Sequence, residues 1–417
     1  MSAIQYISEQ SGIDILNNLQ KVGEYRLGDV LGEGRFGIVF KGIHIHTGED
    51  VAIKFLKIWS VPDHARPNLK KRFELEFETG QIKSDNLINS IRMDQIDEIP
   101  YFVMDYCSGG NLERLLQSNP SEETKKHIAE HILYGLHDLH RNGKIHRDLK
   151  PENVLFDNLA NPRLTDFGIS GHINIQLTVV NNDDKPEQVF GSYAYMAPEQ
   201  LSPTKRKNTL LPTIDIFSFG VVCFELMTGK LPFGPWNHFD DIDPYIRRAA
   251  AGDHDELEDH IDPLWRHIIH KCLMADREQR FQNIGEILSL LNPDNNDVHQ
   301  PVNTVFSLQI LDGEEFGRIY PVTLRSILRM GRESDTTDNE VALHETITNY
   351  ISRRHATFEN IEDEVYIRDG QWDDSQSIWC KSKNGTYVNG IKINPNDGLK
   401  LFRDDIITIG NTSIKIF

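Results

Sequence analysis

KIHRDLKPENVLF, from Lys144 to Phe156, holds a histidine, an arginine, two lysines, two acids and an asparagine between apolar flanks. A solvated turn accounts for the polarity but gives no reason for the mixture of charges. A site that handles a proton, a metal and a phosphate together requires such a mixture.

The residue types divide by chemistry. Asp148 can accept the proton of an attacking hydroxyl, and Lys150 can neutralise a transferring phosphoryl group. Asn153 brings a neutral oxygen, and Asp166, in LTDFGIS from Leu164, brings an anionic one. Mg²⁺ prefers oxygen ligands of this kind together with substrate phosphates. Base, cation and metal ligands are the parts that phosphoryl transfer requires.

Upstream, LGEGRFGIVF places Gly32, Gly34 and Gly37 between two strand-like runs. Glycine lets backbone approach phosphate oxygens closely. A tight hairpin explains the three glycines equally well when they are read alone. A dinucleotide-binding turn needs a helix after the glycines, and here a strand follows. That strand is DVAIKF, with Lys54 inside an apolar run, where an unpaired ammonium is costly. Lys54 therefore calls for an acidic partner, as a plain salt bridge or beside a phosphate.

Length and composition bound the rest. The 417 residues suffice for two or three domains, and 39% hydrophobic residues suffice for their cores. A net charge of −19 argues against nucleic acid or an anionic membrane as the general partner. Cys107, Cys223, Cys272 and Cys380 form no CxxC pair, so free thiols in a reducing compartment are expected. No signal peptide or membrane-length apolar run is evident, and the expected location is cytoplasmic.

The chain reads as two blocks. Strands precede helices from Tyr25 to Leu291, an α+β pattern in two lobes. Residues 292–303, NPDNNDVHQPVN, read as a linker. Residues 304–417 hold short strands separated by turn residues (VFSLQI, GRIYPV, HATFENI, EVYIRD, SIWCK, TYVNG, LKLF, DIITIG), the spacing of an all-β sandwich or barrel. Residues 1–24 form an N-terminal extension in which IDILNNLQKV suggests a short amphipathic helix.

In the first block GEGRFGIV, VAIK, HRDLKPEN, DFG and APE follow one another in order. Residues 25–291 thereby resemble a eukaryotic-type protein kinase domain. The resemblance implies a bilobal α+β fold, ATP and Mg²⁺ as cofactors, and a serine or threonine of a protein as acceptor, since HRDLKPEN carries Lys150. It implies that Asp148 is the catalytic base, that Lys150 assists it, and that Lys54 holds the α- and β-phosphates. Asn153 and Asp166 would hold magnesium. Leu31, Gly32, Gly34, Gly37, Val39, Ala52, Met104, Asp105 and Cys107 would line the nucleotide pocket, with Met104 as gatekeeper. Glu76 is the favoured partner of Lys54, with Glu74 and Glu78 as alternatives. Asn111 fits a ribose contact or a helix N-cap. Arg280 is placed to pair with Glu199, and DIFSFGV at Asp215 resembles the stretch that buttresses the catalytic loop. Ser192 is expected to bond Asp148 and Lys150.

The chain departs from the family at its activation segment. Arg147 usually pairs with a phosphorylated residue a few positions before Gly191-Ser192. VVNNDDKPEQVFG, from Val179 to Gly191, has no hydroxyl residue. Glu187 is expected to stand in for the phosphate, with Asp183 and Asp184 as alternatives and Thr178 as the competing switch. A rival motif, HIAEH from His127 to His131, matches the HxxEH of inverted zinc proteases. Ile128, Ile132, Leu136 and Leu139 make the buried stripe of that helix, which leaves the histidines as polar flanks.

In the second block MGRE, ISRRHATFE and SKNGTYVNG occur in the order that resembles the forkhead-associated (FHA) domain. The resemblance implies a β-sandwich that binds phosphothreonine-containing partners, or this chain's own phosphorylated copy. Arg332 would supply the forked donor set for phosphate, Ser352 a hydroxyl, and Asn384 a contact to the peptide backbone. Arg353 and Lys383 would add charge, and His355 would brace the loop. The stretch between Arg332 and Ser352 is long and acidic and is expected to hang over the pocket. Two functions remain: a serine/threonine kinase that recruits phosphorylated partners, or a phosphopeptide-binding scaffold in which turnover is secondary. The intact set of Lys54, Asp148, Asn153 and Asp166 favours the first.

Overall fold

The computed structural model describes residues 9–118, 120–167, 193–201, 212–238, 241–292, 304–334, 338–346, 349–362, 364–373, 377–394 and 397–417. The described residues fall into two compact units. One is drawn from Met1–Leu136, His146–Leu201 and Ser218–Ile261, the other from His137–Ile145, Ser202–Phe217 and Asp262–Phe417.

The first unit opens with α1 (Glu9–Asn18), followed by β1 (Lys21–Val22), β2 (Tyr25–Glu33), β3 (Gly37–His44) and β4 (Asp50–Leu56). Then come α2 (Arg66–Thr79), β5 (Ser90–Ile96) and β6 (Ile99–Asp105). The strands form one antiparallel sheet in the order β1-β2-β3-β4-β6-β5. β4 is one of its inner strands, apolar on both faces from Val51 to Leu56 apart from Lys54. Apolar Leu69 and Phe73 of α2 are each 1% exposed, in one cluster with Ala52, Phe102 and Met104. Full burial of such side chains stabilises by roughly 1.5–3 kcal/mol each. Continuing their i, i+4 spacing by three residues brings Glu76 to the same buried face.

Helices follow: α3 (Leu112–Leu116), α4 (Glu122–Arg141), and, after the hairpin β7 (Val154–Phe156) and β8 (Pro162–Leu164), α5 (Thr213–Thr228) and α6 (Ile242–Ala251). Ile128, Ile132, Leu136 and Leu139 of α4 are at most 1% exposed, as the stripe predicts. The second unit takes in the end of α4 and the start of α5 and adds α7 (Pro263–Cys272) and α8 (Ile284–Leu291). There Arg280 is buried, donating to the carbonyls of Met274, Ala275 and Thr213, with its guanidinium over the Phe217 ring. His140 and Asp215 pair at 2.8 Å.

The second unit also contains a two-sheet sandwich. Its strands are β9 (Val305–Ile310), β10 (Ile319–Thr323), β11 (Ile327–Arg332), β12 (Val341–Leu343), β13 (Ala356–Ile361), β14 (Glu364–Asp369) and β15 (Gln371–Asp373). They continue as β16 (Ile378–Cys380), β17 (Thr386–Val388), β18 (Ile391–Lys392), β19 (Leu399–Lys400), β20 (Ile406–Ile409) and β21 (Thr412–Ile416). One sheet runs β10-β9-β21-β20-β17-β18, the other β12-β11-β13-β14-β19. Alternating inward residues, among them Leu308, Met330, Phe358, Ile367, Ile407 and Ile414, make a core of their own. β11, β12, β15, β18 and β21 add to the strands expected from the spacing. Among the described residues no helix is long and apolar enough to cross a membrane.

α1 supplies a helix in the N-terminal extension, but over Glu9–Asn18 rather than the expected 13–22, because Lys21 and Val22 pair with Arg26 and Tyr25 as strand β1. Leu16 is buried in the cluster of Tyr25, Val51, Phe55 and Tyr101, and Trp59 packs on the same cluster. A Cβ on Gly12 meets the Trp59 ring at 2.3 Å. Gly12→Val is therefore expected to undock α1 at a cost of about 1–3 kcal/mol. Faster hydrogen exchange across residues 9–22 checks this; unchanged exchange overturns the packing account.

Candidate functional site

Lys54 lies mid-strand in β4, opposite Val39 of β3 and Phe102 of β6. Its Nζ stands 2.5 Å from Glu76 Oε1 and 2.5 Å from Asp166 Oδ1. Glu76 is 4% exposed, whereas Glu74 and Glu78 face solvent. One ammonium thus serves two carboxylates. Burial works against charge on Lys54, but Asp166 and Glu76 outweigh it and raise its pKa. Burial, opposed by Lys54 and reinforced by the like charge of Asp166, pushes the Glu76 carboxyl up to about 7. Burial also opposes the charge of Asp166, yet Lys54 more than offsets it and lowers that pKa. Of the two carboxyls, Asp166 holds its charge more firmly than Glu76. Glu76 Oε2 is buried without a hydrogen-bond partner, the arrangement in which an ionised oxygen is costly.

Asp148 is 6% exposed. The Asn153 amide donates to its backbone oxygen at 2.7 Å and to Oδ2 at 3.3 Å. Lys150 Nζ lies 3.4 Å from the same Oδ2. Burial opposes the Lys150 charge, but Asp148, Glu152 and Asp166 outweigh it and raise its pKa. Pro151–Asn153 forms a single 3₁₀ turn, and Asn153 O accepts from Thr165 N, which ties the turn to the approach to Asp166. The His146 ring meets the Phe167 ring edge-on at 5.8 Å. Arg147 and Asp166 have φ of 68° and 60°, left-handed values that non-glycine residues rarely adopt. Strain of this sort persists where surrounding contacts over-determine the backbone, and here it flanks the polar cluster.

Between β2 and β3 the glycine loop closes through Gly34 N–H donating to Gly37 O at 2.8 Å. That amide is engaged, as in the hairpin reading. A Cβ on Gly32 meets nothing within 4 Å, whereas one on Gly37 comes within 3.2 Å of Phe55 O and 3.4 Å of Lys54 Cε. Val39, Ala52, Met104 and Cys107 lie in one apolar cluster, and Leu31 is largely exposed. Leu155 belongs to the same cluster and was not among the expected pocket residues. Its alternation with buried Val154 and Phe156 in β7 was the available signal. Burial pushes the Cys107 thiol up to about 12, so it is neutral. Asp105 pairs with Arg163 at 3.4 Å. Asn111 caps α3 by accepting from Arg114 N at 3.0 Å.

The His127 and His131 rings lie 4.2 Å apart, tilted by 49°, and His131 Nδ1 contacts Asn86 Nδ2 at 2.7 Å. Among the described residues no group of three or more metal-ligating side chains is assembled.

The sandwich gathers the second set. Arg332 ends β11, and its N–H donates to Ser352 O at 3.0 Å. Ser352 Oγ accepts from Lys383 N at 2.9 Å, and the Asn384 amide donates to Tyr350 O at 2.7 Å. The Arg353 and Lys383 side chains are exposed. A Cβ on Gly331 falls 2.3 Å from Arg353 O, so only glycine lets β11 pass this loop. His355 is fully buried; Nδ1 accepts from Ser352 N–H at 2.9 Å, and Nε2 donates to Gly385 O at 3.2 Å. It thus joins both loops of the pocket.

Burial lowers the His355 pKa, so the fold holds the neutral ring. Its stabilisation is complete above the unfolded value of about 6.5 and is lost as pH falls below it. The sandwich is expected to melt at lower temperature at pH 5.5 than at pH 7.5. His355→Asn should flatten that dependence while lowering the melting temperature at pH 7.5. Calorimetry on the full chain checks both; an unchanged slope in the variant overturns the assignment.

Gly168, Thr178, Glu187, Gly191 and Ser192 lie outside the described residues. Residues 25–290 match the family model described as "Protein kinase domain", and residues 328–410 match "FHA domain". A "Hormonally up-regulated neu tumor-associated kinase homolog" of Xenopus tropicalis is 32% identical over 280 residues, 65% of this chain and 37% of that protein. A probable serine/threonine-protein kinase of Clostridium acetobutylicum is 30% identical over 301 residues, 71% of this chain and 42% of its own length. An SNF1-related protein kinase catalytic subunit alpha of Arabidopsis thaliana is 31% identical over 268 residues, 63% of this chain and 50% of its own length. The chain thus spans half or less of the length of these relatives. It belongs to the protein kinase family, and it carries an FHA domain after its kinase domain.

Proposed function

We propose that the chain is a Mg²⁺-dependent serine/threonine protein kinase whose FHA domain captures phosphothreonine-containing proteins. The observation that carries the first half is the joint placement of Lys54, Glu76 and Asp166 beside an Asp148 held by Asn153 and Lys150. An apolar cluster of Val39, Ala52, Met104 and Leu155 suits a flat base, and the carboxylate and amide oxygens of Asp166 and Asn153 suit a hard divalent cation. When bound, ATP supplies the phosphoryl group and Mg²⁺ neutralises its developing charge.

The protein's own part is orientation and charge. Asp148 takes the proton of the attacking hydroxyl through its carboxylate. Lys150, kept protonated, offsets negative charge on the group in transfer. Lys54 offers its ammonium to phosphate oxygens, and Glu76 fixes its direction. Asn153 holds Asp148 by both backbone and side chain.

We infer a serine or threonine acceptor from Lys150, supported by the relatives named as serine/threonine kinases. The four cysteines form no disulfide, which supports a reducing, cytoplasmic setting. A peptide-array kinase assay with Mg²⁺ and ATP tests the reading, with Asp148→Asn as control. Incorporation into serine and threonine peptides that the variant lacks is expected. A chain that binds phosphopeptides but shows no Asp148-dependent incorporation is the scaffold instead.

A further inference from the structure

Described residues between Arg332 and Ser352 reach the phosphopeptide pocket itself. β12 adds to the edge of β11 in parallel, pairing Met330 with Val341 and Arg332 with Leu343. Asn339 donates its side-chain amide to Arg353 O at 2.8 Å and accepts from Gln371 at 2.9 Å. Glu314 accepts from Thr346 N and Oγ1 at 2.9 and 2.7 Å. Glu345 accepts from the N–H groups of Tyr350 and Ile351 at 2.9 and 3.0 Å. Asn339, Glu345 and Thr346, among the described residues of this stretch, are therefore each held by hydrogen bonds.

Two consecutive residues of that stretch meet the pocket's two main donors. Arg332 Nη1 donates to Asn349 Oδ1, and Asn384 Nδ2 donates to Tyr350 O. The first donor is the one read as phosphate-binding, the second as backbone-binding. A neutral amide oxygen is a weaker acceptor than a phosphate oxygen for a guanidinium, because charge-assisted hydrogen bonds are roughly twice as strong. Asn349 is thus a contact that a phosphate can displace and a neutral side chain cannot readily displace.

We infer that Asn349 is an internal competitor for Arg332 that sets the affinity of the FHA domain for phosphothreonine peptides. The inference rests on the phosphothreonine reading of this domain. A bound ligand must first exchange the Asn349 contact for its own. Removing a competitor that leaves before binding speeds association and leaves dissociation unchanged. A residue that merely orients Arg332 would act in the opposite sense, and its loss would speed dissociation. A carboxylate at the same place would compete more strongly than the amide.

The test uses full-length protein treated with phosphatase. The probes are a degenerate peptide library centred on phosphothreonine and its unphosphorylated counterpart. Asn349→Ala is expected to tighten phosphopeptide binding by roughly 3–10-fold, the scale of one net hydrogen bond, through faster association. Asn349→Asp is expected to weaken it by at least that factor. Unchanged or weaker binding by Asn349→Ala, or a change confined to dissociation, overturns the inference while phosphate selectivity in the wild type stands. Equal binding of both libraries by the wild type removes the phosphothreonine reading, and the inference falls with it.

Discussion

Asp148→Asn is expected to lower kcat for phosphoryl transfer by roughly 10²–10⁴-fold, the scale of general acid–base catalysis. That range corresponds to about 2.7–5.5 kcal/mol on the barrier. Asparagine keeps the size and shape of the side chain but cannot hold the substrate proton at neutral pH. The surroundings are prepared for a carboxylate, with Lys150 Nζ 3.4 Å from Oδ2 and the Asn153 amide 3.3 Å from the same oxygen. Loss of the charge removes one of the partners that keep Lys150 protonated, so part of the deficit is electrostatic. Affinity for ATP should stay near the wild-type value, because Lys54, Glu76 and Asp166 form their own contacts. Steady-state kinetics with a short soluble peptide, beside thermal shift with ATP, separate the two effects. Unchanged kcat would reject Asp148 as the base, and lost nucleotide binding would mean that the variant had disturbed the lobe.

Much of this site was legible because its residues are local. HRDLKPEN is a short continuous run ending in the 3₁₀ turn Pro151–Asn153, so Asp148, Lys150 and Asn153 are near one another in sequence as well as in space. The partner of Lys54 was less legible, since Glu74, Glu76 and Glu78 share one helix and the helix phase is obscured by two preceding 3₁₀ turns and by Pro67. Leu69 and Phe73 carried the missing phase, because residue 76 continues their face. Leu155 went unread because its role depends on a hairpin folding under the sheet, a non-local event. The sandwich was recognisable from turn spacing and three motifs. The short strands β12, β15 and β18, two or three residues each, have too little alternation to announce themselves. The contact of Asn349 with Arg332 joins positions 17 residues apart through a loop, and no periodicity encodes it.

Arg332→Ala is expected to abolish phosphothreonine-peptide binding at accessible concentrations. Truncating one partner of a hydrogen-bonded charge pair costs about 2–5 kcal/mol, which is roughly a 30–5,000-fold rise in Kd. The guanidinium is a planar fork, so Arg332→Lys keeps the charge, loses the paired donors and should fall between alanine and wild type. Exposed Lys383 and Arg353 leave a residual, salt-sensitive attraction in every variant. Catalysis on a short soluble peptide should be unaffected, because Arg332 belongs to a sandwich with its own hydrophobic core, in a different compact unit from Lys54 and Asp148. The same substitution removes the donor for which Asn349 competes. Asn349→Ala should therefore tighten binding more in the wild type than in the Arg332→Lys background, where binding stays measurable, a coupling that a double-mutant cycle measures directly. Calorimetry that finds equal affinity for phosphorylated and unphosphorylated peptide in the wild type, or undiminished affinity in Arg332→Ala, would remove Arg332 from the phosphate site.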